Sequence, residues 1–323
     1  MKTIFSLRFV SCIAILKFFF ISLLNAQTNT SNGDKKDLPN LYTGISSVVL
    51  QKDATELNLI NSLSSFWVAF NEFDGQIEAV RVANRVRYSR ADHLLRVSHG
   101  FANSGRWDLG ADFYYTRVRI DDAARSSPFR VYTNRETPEG KTYSGLSAIG
   151  VQARFVPFAG LPELTLRAGL SYPMARTEAL RAHLNAQRIQ LSLSGVWLNR
   201  LGPGALAFLQ GDFRAYLRNP ENDAALLAPS LGGYLLFELP GERWYIFPGL
   251  VYNTVFQQFA KGYPYRYANQ QLYGSLGVLF RPGDVFSVLL SGQIPFIFDS
   301  GSSRAIWVRE SYTGVNLGLR FIL

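Results

Sequence analysis

One short stretch of the chain brings together a serine and a histidine, the side chains from which a hydrolase builds a nucleophile and its general base. It reads Ser98-His99-Gly100-Phe101-Ala102-Asn103-Ser104-Gly105. A serine is activated only when the histidine lies within hydrogen-bond reach of its hydroxyl. Gly100 and Phe101 follow the histidine, so no serine stands two positions beyond it on the same face of a strand. We therefore predict no catalytic residue, and we interpret His99 as a side chain beside a tight turn.

Candidate metal ligands are scattered along the chain. His93 and His183 have no neighbouring group of ligands, whereas a zinc site needs three or four that converge. The pair Asp121-Asp122 is interpreted as the solvated tip of a loop. Cys12 is the only cysteine and lies in the leader described below, so we expect neither a disulfide nor a thiolate site afterwards. We predict no metal site and no cofactor.

The composition points away from an ordinary soluble protein. Of the 323 residues, 14% are aromatic and only 18% are charged, and the net charge is +9. The arginines are spread along the sequence instead of forming a cluster, which argues against nucleic-acid binding. After the leader, no run approaches the eighteen apolar residues of a membrane helix. Many aromatics with few charges are typical of a barrel whose strands expose one face to lipid.

The N-terminus has the three parts of a secretory signal. Lys2 and Arg8 form a basic start, residues 13–24 form an apolar run broken once by Lys17, and Ala26 supplies the small residue before cleavage. We predict a signal peptide over residues 1–26 and a flexible periplasmic segment over residues 27–54. Export of this kind would deliver residues 55–323 to the bacterial outer membrane. A permanent N-terminal anchor is the alternative.

From residue 55 onward the chain alternates between apolar and polar side chains, as a strand with one face in lipid requires. The alternation is clearest over residues 188–194 and 209–217. We predict about twelve strands, centred near residues 62, 94, 113, 149, 169, 193, 211, 232, 250, 276, 290 and 316. A soluble β-sandwich would show the same period, but it would have no use for the aromatics that recur near the predicted strand ends.

The links between these strands alternate in length. Short links rich in turn residues fall at 103–105, 159–162, 199–204, 240–242 and 281–284. Mostly longer and more charged links fall at 71–84, 121–141, 175–186, 218–224, 259–269 and 298–309. Short periplasmic turns and long outer loops are typical of outer-membrane barrels. The predicted fold is therefore all-β: a transmembrane, antiparallel, up-and-down β-barrel with both ends in the periplasm.

If the alternation holds, a set of charged and polar side chains points into the barrel. We predict that it lines a pore: Arg96, Asp108, Asp112, Arg154, Arg167, Arg188, Gln190, Asp212, Arg214 and Arg320. An excess of arginine would favour anions. Small residues on the same face, such as Ser192 and Gly277, would leave room for a solute. The alternative is that charges of both signs pair with one another and fill a narrow barrel, which then acts through its outer loops in adhesion or envelope structure.

The last nine residues resemble the C-terminal signal of bacterial outer-membrane barrels. Their outward face carries Val315, Leu317, Leu319, Phe321 and Leu323. This resemblance implies recognition by the barrel-assembly machinery and contact with outer-membrane lipid and lipopolysaccharide.

Residues 121–129 and 145–157 are similar to a barrel family of transporters of unassigned function, in the manner of the phenol-degradation meta-pathway barrels. That resemblance implies a location and a fold, and it carries no catalytic or binding residues. From the lumen residues we predict a narrow channel or transporter for small solutes, and from the missing motif no enzyme activity. A barrel lipid hydrolase is the second alternative, although the outer-membrane phospholipase and the lipid A deacylase show the His-x-Ser arrangement that the stretch around His99 lacks.

Overall fold

A computed structural model describes residues 49–70, 85–101, 106–121, 127–133, 140–177, 180–181, 184, 188–217, 225–241, 243–258, 264–300 and 305–323. The predicted leader and most of the predicted segment 27–54 lie outside the described residues, as does His183. In strand order, the described elements are β1 (Thr55–Phe70), β2 (Arg85–Gly100), β3 (Trp107–Asp121), β4 (Gly140–Phe155), β5 (Leu164–Pro173), β6 (Gln190–Gly202), β7 (Ala205–Tyr216), β8 (Ala225–Glu238), β9 (Trp244–Gln258), β10 (Arg266–Phe280), β11 (Phe286–Ser300) and β12 (Ala305–Ile322). A short 3-10 helix, Pro128–Tyr132, lies between β3 and β4.

The twelve strands form one closed antiparallel barrel in which each strand pairs with its neighbours in sequence. Strand β12 closes the barrel against β1, with Leu57 opposite Phe321 and Leu63 opposite Val315. Each predicted strand centre falls within one of the observed strands. The predicted fold class is confirmed.

The exterior of the barrel is a wide apolar band. Large apolar side chains alternate outward along the strands and remain exposed, among them Val151 (61% exposed) and Ile294 (67%). Burying so much apolar surface in lipid is favourable, whereas leaving it in water is not. Trp244 packs with a tilted ring against Phe280 at one strand end, and Phe286 stacks on Phe321 at another. Aromatic rings at this level are typical of a membrane interface.

The short links that the structure describes in full, at 159–162, 199–204 and 281–284, are turns at the end of the barrel that holds both Thr55 and Leu323. Gly204 has a φ of 68° and Gly241 a φ of 105°, backbone conformations that a side chain would strain. The strand ends that the long links join lie at the opposite end. No helix within the described part of the chain is long and apolar enough to cross a membrane.

Candidate functional site: the barrel lumen

The strand register decides which side chains face the lumen. Residues directly opposite each other on neighbouring strands share a face. Asp108 lies opposite Arg154, Arg154 opposite Arg167, Arg167 opposite Ser194, and Ser194 opposite Asp212. Continuing this face around the barrel puts nine of the ten predicted residues on the lumen side: Arg96, Asp108, Asp112, Arg154, Arg167, Gln190, Asp212, Arg214 and Arg320. Arg188 precedes β6. The role of the ten as pore-lining residues stays a prediction.

At the periplasmic end, the charged residues are paired side chain to side chain. Arg154 donates from Nε to Asp108 Oδ1 at 2.9 Å and from Nη1 to Glu56 Oε1 at 3.2 Å. Arg320 donates from Nε to the other oxygen of Glu56, Oε2, at 2.8 Å. Glu56, Asp108 and Arg154 are fully buried. Charges removed from water this completely are tolerated only when they are paired and hydrogen-bonded.

A second pair extends this cluster towards the middle of the barrel. Arg96 binds Asp112 with two parallel hydrogen bonds, Nε to Oδ1 at 2.8 Å and Nη2 to Oδ2 at 2.9 Å. The hydroxyl of Tyr114 donates to the same carboxylate at 3.1 Å. The Arg167 guanidinium is within electrostatic reach of these groups. The residue as a whole is half-buried, whereas its Nε atom is buried. We call the seven charged residues the charged half of the floor: Glu56, Arg96, Asp108, Asp112, Arg154, Arg167 and Arg320.

The opposite side of the periplasmic lumen is apolar. Its buried side chains come from β6 to β10 and form one packed cluster, the apolar half of the floor: Leu198, Leu206, Phe208, Leu236, Tyr245, Phe247 and Leu279, with Val196, Tyr234 and Leu289 against it. The rings of Phe208 and Tyr234 stack with centroids 4.5 Å apart. Together the two halves line the periplasmic part of the lumen with buried side chains. The alternation in the sequence predicted part of the charged half and none of the apolar half.

Glycines on the lumen face support these rings. A Cβ on Gly277 would lie 1.9 Å from Cζ of Phe247, and one on Gly249 would lie 2.2 Å from Cδ1 of Tyr234. Both rings therefore lie flat against the wall, over positions where only glycine fits. Gly277 was predicted to leave room for a solute, but the ring of Phe247 occupies that room.

The outer part of the lumen is different. Its side chains are mostly small or polar and only half-buried, including Gln190, Ser192 and Asp212, while Arg214 is exposed. Arg214 lies within electrostatic reach of Tyr114 on β3, across the lumen from β7. At the edge of this region, burial lowers the pKa of the Arg188 guanidinium, and nearby Tyr216 partly offsets the shift.

Residues 49–54, which we call the strap, lie across the periplasmic mouth. The backbone N–H of Leu50 donates to Asp108 Oδ2 at 2.9 Å, and Asp53 N donates to the carbonyl of Gly100 at 2.9 Å. Val49 and Leu50 are both buried. The strap thus packs against the charged half of the floor and shares its Asp108 carboxylate with Arg154.

At the outer end, two connections pack onto opposite faces of the wall. The helix Pro128–Tyr132 lies on the exterior, where Val131 is fully buried against Leu63. Leu184, from the connection between β5 and β6, packs inside against Val118 on the lumen face of β3. Leu184 therefore narrows the lumen at the outer mouth.

The serine and histidine considered first do not form a catalytic pair. Ser98 points into the lumen and accepts a hydrogen bond from Gln152 Nε2 at 3.3 Å. His99 points outward, where its ring packs edge-on to Phe101 and its Nδ1 is 2.9 Å from the hydroxyl of Thr55. Within the described residues, no three histidine, cysteine, aspartate or glutamate side chains are grouped for a metal ion.

Comparisons with known proteins support the fold. No protein-family model matches the chain, and no curated protein matches it by sequence. An outer-membrane channel from Pseudomonas putida F1 aligns over 90% of this chain and 100% of its own, with a TM-score of 0.57 and 13% identity. The β domain of a Bordetella autotransporter aligns over 84% of this chain and 100% of its own, with a TM-score of 0.54 and 14% identity. At these identities the likeness shows the fold alone, that of the bacterial outer-membrane β-barrels.

Proposed function

We propose that the chain is a bacterial outer-membrane channel that passes small solutes and favours anions. One observation carries the proposal: a half-buried polar lumen that contains an exposed arginine lies inside a wall whose outer surface is apolar. A barrel that served only as a membrane anchor would have no need for a hydrated interior. The Pseudomonas protein is described as a channel, but the support for a channel here comes from the lumen itself.

Anion preference follows from the balance of charge along the path. In the outer lumen, Arg214 lies beside Asp212 and Tyr216, and Arg188 lies at the entrance. In the charged half of the floor, four guanidiniums face three carboxylates. Rings of fixed charge select the counter-ion in a narrow pore. The small excess of positive charge, in the outer lumen and in the charged half of the floor, therefore favours anions.

The test is single-channel recording of the leader-free protein in a planar bilayer, with the reversal potential measured in a potassium chloride gradient. We expect discrete steps and a reversal potential shifted towards that of chloride. Arg214→Glu should move the reversal potential towards that of potassium, whereas Arg176→Glu, an exposed position just beyond β5, should not. A correctly folded protein that never conducts would refute the proposal.

A non-conducting barrel is the second candidate, and the floor is the observation that favours it. Its ion pairs and apolar cluster are packed side chain to side chain across the periplasmic lumen. If the folded protein does not conduct ions in a planar bilayer, the non-conducting barrel remains as the candidate. Its outer loops would then be the functional surface. Adhesion or envelope structure would then be the roles to examine.

A location in the outer membrane also determines which partners we propose. The exposed band on the outer wall suits outer-membrane lipid and lipopolysaccharide. On β12, Leu317, Phe321 and Leu323 are exposed outward at the edge where the barrel closes. We propose that this strand, with Val315 and Leu319, is the one that the barrel-assembly machinery recognises during insertion.

A further inference from the structure

The floor of the lumen has a charged half and an apolar half, and they meet at a definite place. In the pairing of β5 with β6, Arg167 lies opposite Ser194. Two residues nearer the periplasmic end of each strand, Thr165 lies opposite Val196. Val196 packs against the apolar half. A guanidinium and an aliphatic side chain are therefore near neighbours on the lumen wall. We call this place the seam.

Arg167 is the member of the charged half best placed to meet a solute. Glu56, Asp108 and Arg154 are fully buried, whereas Arg167 is half-buried. The charges of Arg96 and Arg154 repel it, and those of Asp112 and Glu56 attract it. The charged half holds more guanidiniums than carboxylates. An anion that arrives from the outer lumen is therefore attracted to Arg167.

Each half of the floor disfavours a different kind of solute. A small inorganic anion such as chloride would have to lose water beside the aliphatic and aromatic surface of the apolar half. A neutral apolar solute would cover guanidiniums without offering them an acceptor. A molecule with a carboxylate at one end and an apolar body at the other satisfies both halves at once.

We propose that the seam is a binding site for organic monocarboxylates with an aromatic or branched aliphatic body, and that these are the solutes the channel prefers. The carboxylate accepts hydrogen bonds from Arg167 and Ser194. The body lies against Val196 and, behind it, the Phe208 side of the apolar half. This inference rests on the proposed function, because it names the solute class of the same lumen.

The experiment compares permeability ratios from bi-ionic reversal potentials, with benzoate, acetate and chloride as the probe anions. Benzoate should permeate better than acetate and better than chloride, although it is the largest of the three. Arg167→Gln should reduce the benzoate-to-chloride ratio about tenfold, the change expected for losing one charge-assisted hydrogen bond. Arg167→Lys should retain part of the preference, because the charge stays while the planar fork is lost.

Val196→Thr tests the other side of the seam with little change of volume. It should reduce the ratio of benzoate to acetate, because a hydroxyl replaces a methyl group at the apolar contact. Arg106→Gln is the control, since Arg106 is exposed at a periplasmic turn outside the lumen. All variants are first shown to fold by heat-modifiable gel mobility.

The outcomes separate this inference from the proposed function. Conductance in which chloride exceeds acetate and acetate exceeds benzoate would mean sieving by size, and it would overturn the seam while the channel stands. A benzoate preference that survives Arg167→Gln would also overturn the seam. A folded barrel that conducts none of the three anions would overturn the channel itself, and the seam with it.

Discussion

Gly100→Ala should detach the strap from the periplasmic mouth. A Cβ at this position would lie 2.0 Å from the carbonyl oxygen of Gln51 and 2.9 Å from that of Leu50. Carbon and oxygen atoms that are not bonded do not approach so closely, so the strap must move by ~1 Å or more. The three contacts nearest to the new Cβ all belong to the strap. The substitution therefore acts on the strap first.

The strap is held weakly enough for such a shift to matter. Its hydrogen bond to the Asp108 carboxylate is worth about 1.5–3 kcal/mol. The buried side chains of Val49 and Leu50 contribute about 1.5–3 kcal/mol each. Ordering the strap opposes them with about 1–2 kcal/mol for each residue fixed. Because these contributions nearly cancel, a loss of about 1.4 kcal/mol changes the population of the docked strap tenfold.

The assay uses a cysteine as a reporter. The only natural cysteine, Cys12, lies in the predicted leader, so Leu50→Cys in leader-free protein carries a single thiol. We expect maleimide to label it slowly, since position 50 is only 5% exposed, and about tenfold faster once Gly100→Ala is added. Gly160→Ala is the matched control, because nothing lies within 4 Å of its Cβ. Equal labelling rates in the Gly100→Ala and Gly160→Ala backgrounds would refute the reasoning.

Three further predictions concern the wall and the floor. Glu56→Gln removes the carboxylate charge that Arg320 and Arg154 share, although Arg154 keeps Asp108, and should lower the free energy of unfolding by about 3–5 kcal/mol. Glu163→Gln, half-buried at a turn, should change it little, and a denaturant series in detergent measures both. Gly277→Ala should push the Phe247 ring into the lumen and reduce single-channel conductance. Gly211→Ala, whose Cβ would meet nothing within 4 Å, should leave the conductance unchanged. Equal conductance in the two variants would contradict the role given to Gly277. Leu317→Arg on the outer wall should cost about 2–4 kcal/mol near the membrane midplane, and unchanged folding in lipid vesicles would show that this position does not face lipid.

The strands could be predicted because their signal is local. Alternation with period two depends only on neighbouring residues, and it is as visible in 188–194 of the sequence as in β6 of the structure. The alternating lengths of the links predicted which end of the barrel carries the tight turns. The lumen face of Arg154 and Arg167 followed from the same period.

The pairing inside the barrel could not be predicted, because its partners are distant in sequence. Glu56 lies 98 positions from Arg154 and 264 from Arg320, and no local pattern connects them. Glu56 itself was absent from the predicted set, although it lies on the same face of β1 as the lumen residues. The apolar half was missed for a different reason: apolar side chains on both faces of a strand weaken the alternation on which the prediction depended.

The two halves of the floor should resist opening differently. Ion pairs such as Arg154 with Asp108 are directional, and separating one leaves an unpaired charge in a dry environment. Contacts between Leu and Phe side chains are not directional, so they can slide past each other at a smaller cost for each step. The strap donates its hydrogen bond from Leu50 N–H to Asp108, a member of the charged half. A solute that passes the floor therefore displaces the apolar half and leaves the ion pairs in place, which puts its path along the seam beside Arg167.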